Sequence, residues 1–145
     1  MRLFDSAAKM RPMRRAAILI FVLAALIAVP AAAAADVYAG YTKVGRVTAS
    51  YSSGQYDVYQ GYTKVGSVRS AYGGRWEVYE GYQKVGYIRA SYGGRYDIYS
   101  GYSKIGYIKA SYGGRWSVYS GYRNVGDVRG GPAGPAGGAA LLLLM

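Results

Sequence analysis

Five tyrosines follow a turn glycine at near-regular intervals: Tyr41, Tyr62, Tyr82, Tyr102 and Tyr122. A second set, Tyr51, Tyr72, Tyr92 and Tyr112, alternates with them. Exposed tyrosine joins an apolar ring to a polar tip, so either set can stack on sugars or lie at a membrane interface. The same rings also suit packing of one repeat against the next. Cations recur beside them: Lys43, Lys64, Lys84 and Lys104 in one series, Arg69, Arg89, Lys109 and Arg129 in another, Arg75, Arg95 and Arg115 in a third. Such rings of charge suit anionic partners, either anionic lipid or acidic envelope polysaccharide. The alternative is a solvated wall whose cations pair across strands with Asp57, Glu77 and Asp97.

Reaction chemistry has little to work with. The chain has no histidine and no cysteine, which removes the usual triads, thiol nucleophiles and zinc sites. Asp57, Glu77 and Asp97 occupy equivalent repeat positions, so symmetry sets them apart. Glu77 and Glu80 are the one close acidic pair, and they read as solvated strand charge rather than an acid–base couple. The Tyr-Gly-Gly-Arg turns precede no helix and are not phosphate loops. No catalytic, cofactor-binding or metal-binding residue is assigned, and the expected protein is not an enzyme.

These residues are positioned by a repeat of about twenty residues, the first feature to seek in any chain. The clearest copy is EVYEGYQKVGYIRASYGGRY, residues 77–96. The five copies are 36–56, 57–76, 77–96, 97–116 and a shortened 117–131. Each reads as strand, short turn, strand, with β-branched and aromatic residues on either side of a glycine. The Gly-Gly pairs supply the positive φ of tight hairpin turns. Ten antiparallel strands in an open sheet would leave two raw edges. The expected fold is therefore all-β: a closed, pseudo-fivefold antiparallel barrel of five β-hairpins. A β-solenoid is the competitor, but it needs parallel stacking, which tight turns oppose.

The second strand of every unit carries a glycine with an aliphatic residue two positions on, hence on one face. Gly66 and Val68, Gly86 and Ile88, and Gly106 and Ile108 are expected to face the lumen. The opposite face, with Tyr87 and Arg89, is expected outside.

Both ends differ from the repeats. Residues 1–35 read as a secretory leader with a basic start (Arg2, Lys9, Arg11, Arg14, Arg15), an apolar run over 16–29 and a small-residue cleavage site at 31–35. Residues 16–35 are also long enough to span a bilayer, so a retained anchor is the rival. The expected location is exported: periplasm, cell envelope or extracellular. Nucleic acid is not an expected partner there. Beyond the leader, thirteen lysines and arginines face six acids, a balance of +7. At the other end, 132–145 reads as a Gly/Pro linker followed by a hydrophobic tail. Leu141, Leu142, Leu143 and Leu144 are costly to leave in water, since burying them contributes roughly 6–12 kcal/mol. The tail is too short to cross a membrane. It is expected to plug the lumen as a short helix over the strand glycines, the alternative being docking on a membrane or a second copy.

The repeat VYxGYxKVGxVxxSYGGR, set as hairpins behind an export leader, resembles the bacterial beta-flower proteins, shallow pseudo-symmetric barrels with hairpin petals around an apolar channel. In outline these are similar to the tubby and phospholipid-scramblase barrels, which wrap strands around a central hydrophobic helix. The resemblance covers 36 to about 131. It implies a barrel with membrane or lipid association and carries no catalytic residue. Without a cysteine the chain lacks the lipid-attachment site of many relatives.

Overall fold

The computed structural model describes residues 34–145. The expected leader, its apolar run and its helix lie outside these described residues, apart from Ala34 and Ala35. Ten strands follow: β1 (Ala35–Ala39), β2 (Thr42–Ala49), β3 (Gln55–Gln60), β4 (Thr63–Ser70), β5 (Trp76–Glu80), β6 (Gln83–Ala90), β7 (Arg95–Ser100), β8 (Ser103–Ser111), β9 (Arg115–Ser120) and β10 (Arg123–Arg129). One helix, α1 (Ala133–Leu144), ends the chain. Each strand pairs antiparallel with its neighbour in sequence, and β10 pairs with β1 to close the barrel. The closing seam is Asp127 with Tyr38, Val128 with Val37 and Arg129 with Asp36.

Each strand contributes one fully buried β-branched residue: Val37, Val47, Val58, Val68, Val78, Ile88, Ile98, Ile108, Val118 and Val128. β-Branched side chains fit a pleated surface and pack well against neighbours across it. Toward one end of the barrel lies a half-buried aromatic layer of Tyr56, Trp76, Tyr96 and Trp116. Tyr56 and Trp76 lie 6.0 Å apart, and Tyr96 meets Trp116 edge-on at 5.7 Å. The fifth position of that layer is Ala35, which is buried and pairs with Val47. Its small size leaves room for Gly131, where a Cβ would come within 3.2 Å of the Ala35 methyl. β1 thus begins one residue inside the segment expected to be leader.

All five hairpins carry a bulge at the same place, for example where Val58 faces Gly66 but Tyr59 faces Lys64. The extra residue, Val65 in that hairpin, breaks the two-residue alternation. Gly66 is therefore buried while Lys64, two positions away, is exposed. Regular alternation, as the sequence suggested, would have put both on one face.

Helix α1 packs against all ten strands. It spans twelve residues, so the glycine- and proline-rich stretch expected as a linker is mostly helix, and the connection shrinks to Gly130–Pro132. Intrinsic propensity opposes this, at about 1 kcal/mol per glycine relative to alanine. Packing overrides it. A Cβ on Gly134 would collide with the Trp76 ring, one on Gly138 with Val68, and one on Gly137 would sit 3.0 Å from Ile88. Pro135 falls in the first turn, where its missing N–H has no helical partner to lose.

The strand glycines are the other close approach. A Cβ on Gly45, Gly66, Gly86, Gly106 or Gly126 would meet the carbonyl oxygen of Tyr59, Tyr79, Tyr99, Tyr119 or Tyr38 respectively. Gly86→Ala is expected to cost about 1–3 kcal/mol through overpacking. Thermal unfolding should show a midpoint lower by roughly 4 °C or more; an unchanged midpoint would contradict the crowding.

Candidate functional site

The eighteen tyrosines fall into separate environments. Tyr41, Tyr62, Tyr82, Tyr102 and Tyr122 sit on the β1–β2-type turns and are 98–102% exposed. Tyr51, Tyr72, Tyr92 and Tyr112, at the opposite end, are equally exposed. Tyr38, Tyr59, Tyr79, Tyr99 and Tyr119 lie on the outer wall, where each is covered by the preceding hairpin. Arg46 covers Tyr59 at 4.7 Å and Arg69 covers Tyr79 at 4.5 Å. Tyr87 stacks on Tyr99 at 4.5 Å and Tyr107 on Tyr119 at 4.9 Å. Arg129 covers Tyr38 at 3.8 Å across the closing seam. Packing between repeats accounts for these wall residues, and the aromatic layer accounts for Tyr56 and Tyr96. The nine turn tyrosines stand free among the described residues.

The turn-tyrosine end carries a second feature. The tail residues pair one-to-one with the strand glycines. A Cβ on Gly86 would lie 2.7 Å from Leu141 Cδ2, one on Gly66 2.7 Å from Leu142 Cδ1, and one on Gly45 2.6 Å from Leu143 Cδ1. Gly126 stands in the same relation to Leu144 at 3.0 Å, and Gly106 to Met145 Cε at 2.7 Å. Each of these glycines lies four residues past the turn tyrosine of its own hairpin and five past the turn glycine. Leu141–Leu144 are half-buried there and Met145 is 41% exposed. Of the residues expected to face the lumen, Gly66, Val68, Gly86, Ile88, Gly106 and Ile108 are all buried.

The lysine series forms ion pairs within each hairpin: Lys43 with Asp36 at 3.1 Å, Lys64 with Asp57 at 3.2 Å, Lys84 with Glu77 at 3.1 Å and Lys104 with Asp97 at 3.2 Å. The fifth hairpin has lost both partners, with Ser117 and Asn124 at those positions. Asp57 Oδ1 and Asp97 Oδ1 are buried and lack an aligned hydrogen bond despite their ion pairs. Glu77 is better served: Lys84 donates to one oxygen at 3.1 Å and the Tyr79 hydroxyl to the other at 3.0 Å. The bond from Lys84, then that from Tyr79, holds the Glu77 carboxyl below its ordinary 4.5, and the same bond raises Tyr79.

Among the described residues, four similar clefts lie on the outer wall between adjacent hairpins. The first, about 320 Å³, is lined by Lys43, Arg46 and the Gly61-Tyr62 turn. The second, about 330 Å³, is lined by Lys64, Arg69 and Gly81-Tyr82. The third, about 220 Å³, has Arg75, Lys84 and Gly101-Tyr102, and the fourth, about 280 Å³, has Arg95, Lys104 and Gly121-Tyr122. Sequence reading identified the lysine, arginine and tyrosine series but not that they converge. The convergence needs the bulge, which turns each lysine outward.

Comparison with protein-family models, with curated proteins and with solved structures finds no match to this chain.

Because the pKa of Glu77 is lowered in the folded state, its contribution to stability is present above pH 4.5 and is lost as pH falls through the lowered value. Glu77→Gln is expected to flatten the acid limb of a stability–pH curve there, measured by urea unfolding; an acid limb identical to wild type would exclude the contribution.

Proposed function

We propose that this is a non-enzymatic, exported protein that associates with a membrane surface through its turn-tyrosine end. One observation carries the reading. At that end, five fully exposed tyrosines surround the half-buried Leu141–Leu144 and the exposed Met145, with Lys43, Lys64, Lys84 and Lys104 close behind. An apolar centre, an aromatic ring and a band of cations match the layers of a lipid interface in order of depth. Export rests on the leader expected over residues 1–35.

The same reading gives α1 the role of a plug in the lumen. Its contact with all ten strands and the five glycine-to-tail pairings support this. The resemblance to beta-flower proteins, and in outline to barrels wrapped on a central hydrophobic helix, is in keeping with it. A second reading is supported by Tyr51, Tyr72, Tyr92 and Tyr112, exposed at the end that membrane docking leaves unused. Regularly spaced free rings there suit stacking on an envelope polysaccharide.

Co-sedimentation with phospholipid vesicles tests the main reading. Wild type should pellet with vesicles, and Tyr82→Ser with Tyr102→Ser should pellet several-fold less while keeping its circular dichroism spectrum. No pelleting with any vesicle, together with retention on insoluble glycan, would replace the membrane reading by the glycan one. For the plug, Leu142→Asp with Leu143→Asp should lower stability by at least about 2 kcal/mol. An unchanged unfolding midpoint would show that the leucines are not part of the core.

A further inference from the structure

The four clefts are built alike although the repeats that build them are not. Each holds one lysine of the same series and one arginine, but the arginine arrives from three different repeat positions. In the third and fourth clefts it is Arg75 or Arg95, from the Gly-Gly-Arg turn. The second cleft has Gln55 at that position, and Arg69 from β4 supplies the guanidinium instead. The first cleft has no preceding hairpin turn within the barrel, and Arg46 from β2 supplies it. Each of these guanidiniums lies over a tyrosine ring, at 4.7, 4.5, 4.1 and 4.3 Å in the first to fourth clefts. A guanidinium held over a ring face keeps further N–H donors for an oxyanion. In the third cleft Arg75 Nε is buried without a hydrogen-bond partner.

We propose that these clefts are phosphate sites, each taking the headgroup phosphate of one anionic lipid, and that the fifth seam is not such a site. The proposal rests on the membrane reading above and names the lipid class. In each cleft one carboxylate offsets the lysine through its ion pair, and the arginine leaves the balance positive. That balance favours a net-anionic headgroup over one whose phosphate is neutralised by its own ammonium group. The clefts are bounded by the turn tyrosines themselves, so headgroups reach them when that end meets a bilayer. The seam between β10 and β1 departs from the pattern. Asn124 stands at the lysine position. Asp127 stands where the other hairpins have Arg46, Ser67, Tyr87 and Tyr107, and it accepts a bond from Arg129 at 2.9 Å. The fifth seam thus lacks the lysine, and the carboxylate of Asp127 offsets Arg129.

The test compares binding of the full chain to vesicles of phosphatidylcholine alone and of phosphatidylcholine mixed with phosphatidylglycerol. Wild type should prefer the mixed vesicles. Arg75→Gln with Arg95→Gln should reduce that preference by about fivefold per arginine removed. Asn124→Lys with Asp127→Ser should raise it, a gain that misfolding cannot imitate. Inorganic phosphate should abolish the preference at an ionic strength where chloride does not. Equal binding to both vesicles would overturn the cleft assignment and leave the membrane reading intact, whereas no binding to either would overturn both. A preference untouched by the arginine changes, or screened equally by chloride, would mean diffuse charge rather than built sites. Calorimetry with inorganic phosphate alone separates the sources: saturation at concentrations where mixed vesicles do not bind would assign the clefts to free phosphate and end the lipid assignment.

Discussion

Neighbouring strands approach one another so closely at five points that the carbonyl of a tyrosine occupies the place a Cβ would take. Glycine alone fits there without displacing the neighbouring strand. Each glycine in turn leaves a gap in the inner surface, and the last five residues of the chain each put a side chain over one of those gaps. Above that level the packing changes character. A ring of ten β-branched residues is fully buried, and helix glycines rather than strand glycines make the room. Above that again, aromatic rings narrow the barrel, and the one alanine among them lies where the chain passes from β10 toward α1. The interior is thus graded from small to large along its axis, and the helix is graded oppositely, from glycine and alanine to leucine.

The outer wall follows a different economy. Hairpins are joined not only by backbone bonds but by a stack at each seam, and the stack need not be aromatic. Where β4 carries Ser67, too small to cover Tyr79, Arg69 does so from two residues away. Where β10 carries Asp127, Arg129 takes the part. Cation–π contacts of this kind contribute on the order of 0.5–1 kcal/mol at exposed sites, modest singly but repeated at three of the five seams by arginine alone. These contacts bias the guanidiniums toward positions over the rings of the next hairpin.

Much of the architecture was legible because the same local message is repeated. The twenty-residue period, the turn glycines and the β-branched positions all point to hairpins, and five of them close more readily than they lie open. The tail was half legible. Four leucines demand burial, but the stretch before them, Gly134-Pro135-Ala136-Gly137-Gly138, reads as linker by every local rule, and only Trp76, Ile88 and Val68 pressing on it explain why it is helical. The clefts were hidden for a related reason. Lys64 and Gly66 share parity in sequence, and one bulge at Val65 separates their faces. A single-residue slip of register carries no compositional mark. The rim tyrosines were visible as a series, but only side-chain exposure separates them from Tyr59 and Tyr79, which have the same spacing and a structural task.

The pairing of tail and glycines has a consequence for copy number. Taken in chain order, Leu141 to Met145 meet the third, second, first, fifth and fourth hairpins, one step around the ring per residue. A helix advances about 100° per residue and a fivefold ring about 72° per unit, so flexible leucine and methionine side chains absorb the difference. Near-identical tandem units are prone to duplication and loss by unequal recombination. A ring of four or six petals would strand one tail residue or leave one gap bare, so this pairing of tail and glycines matches five hairpins and no other number.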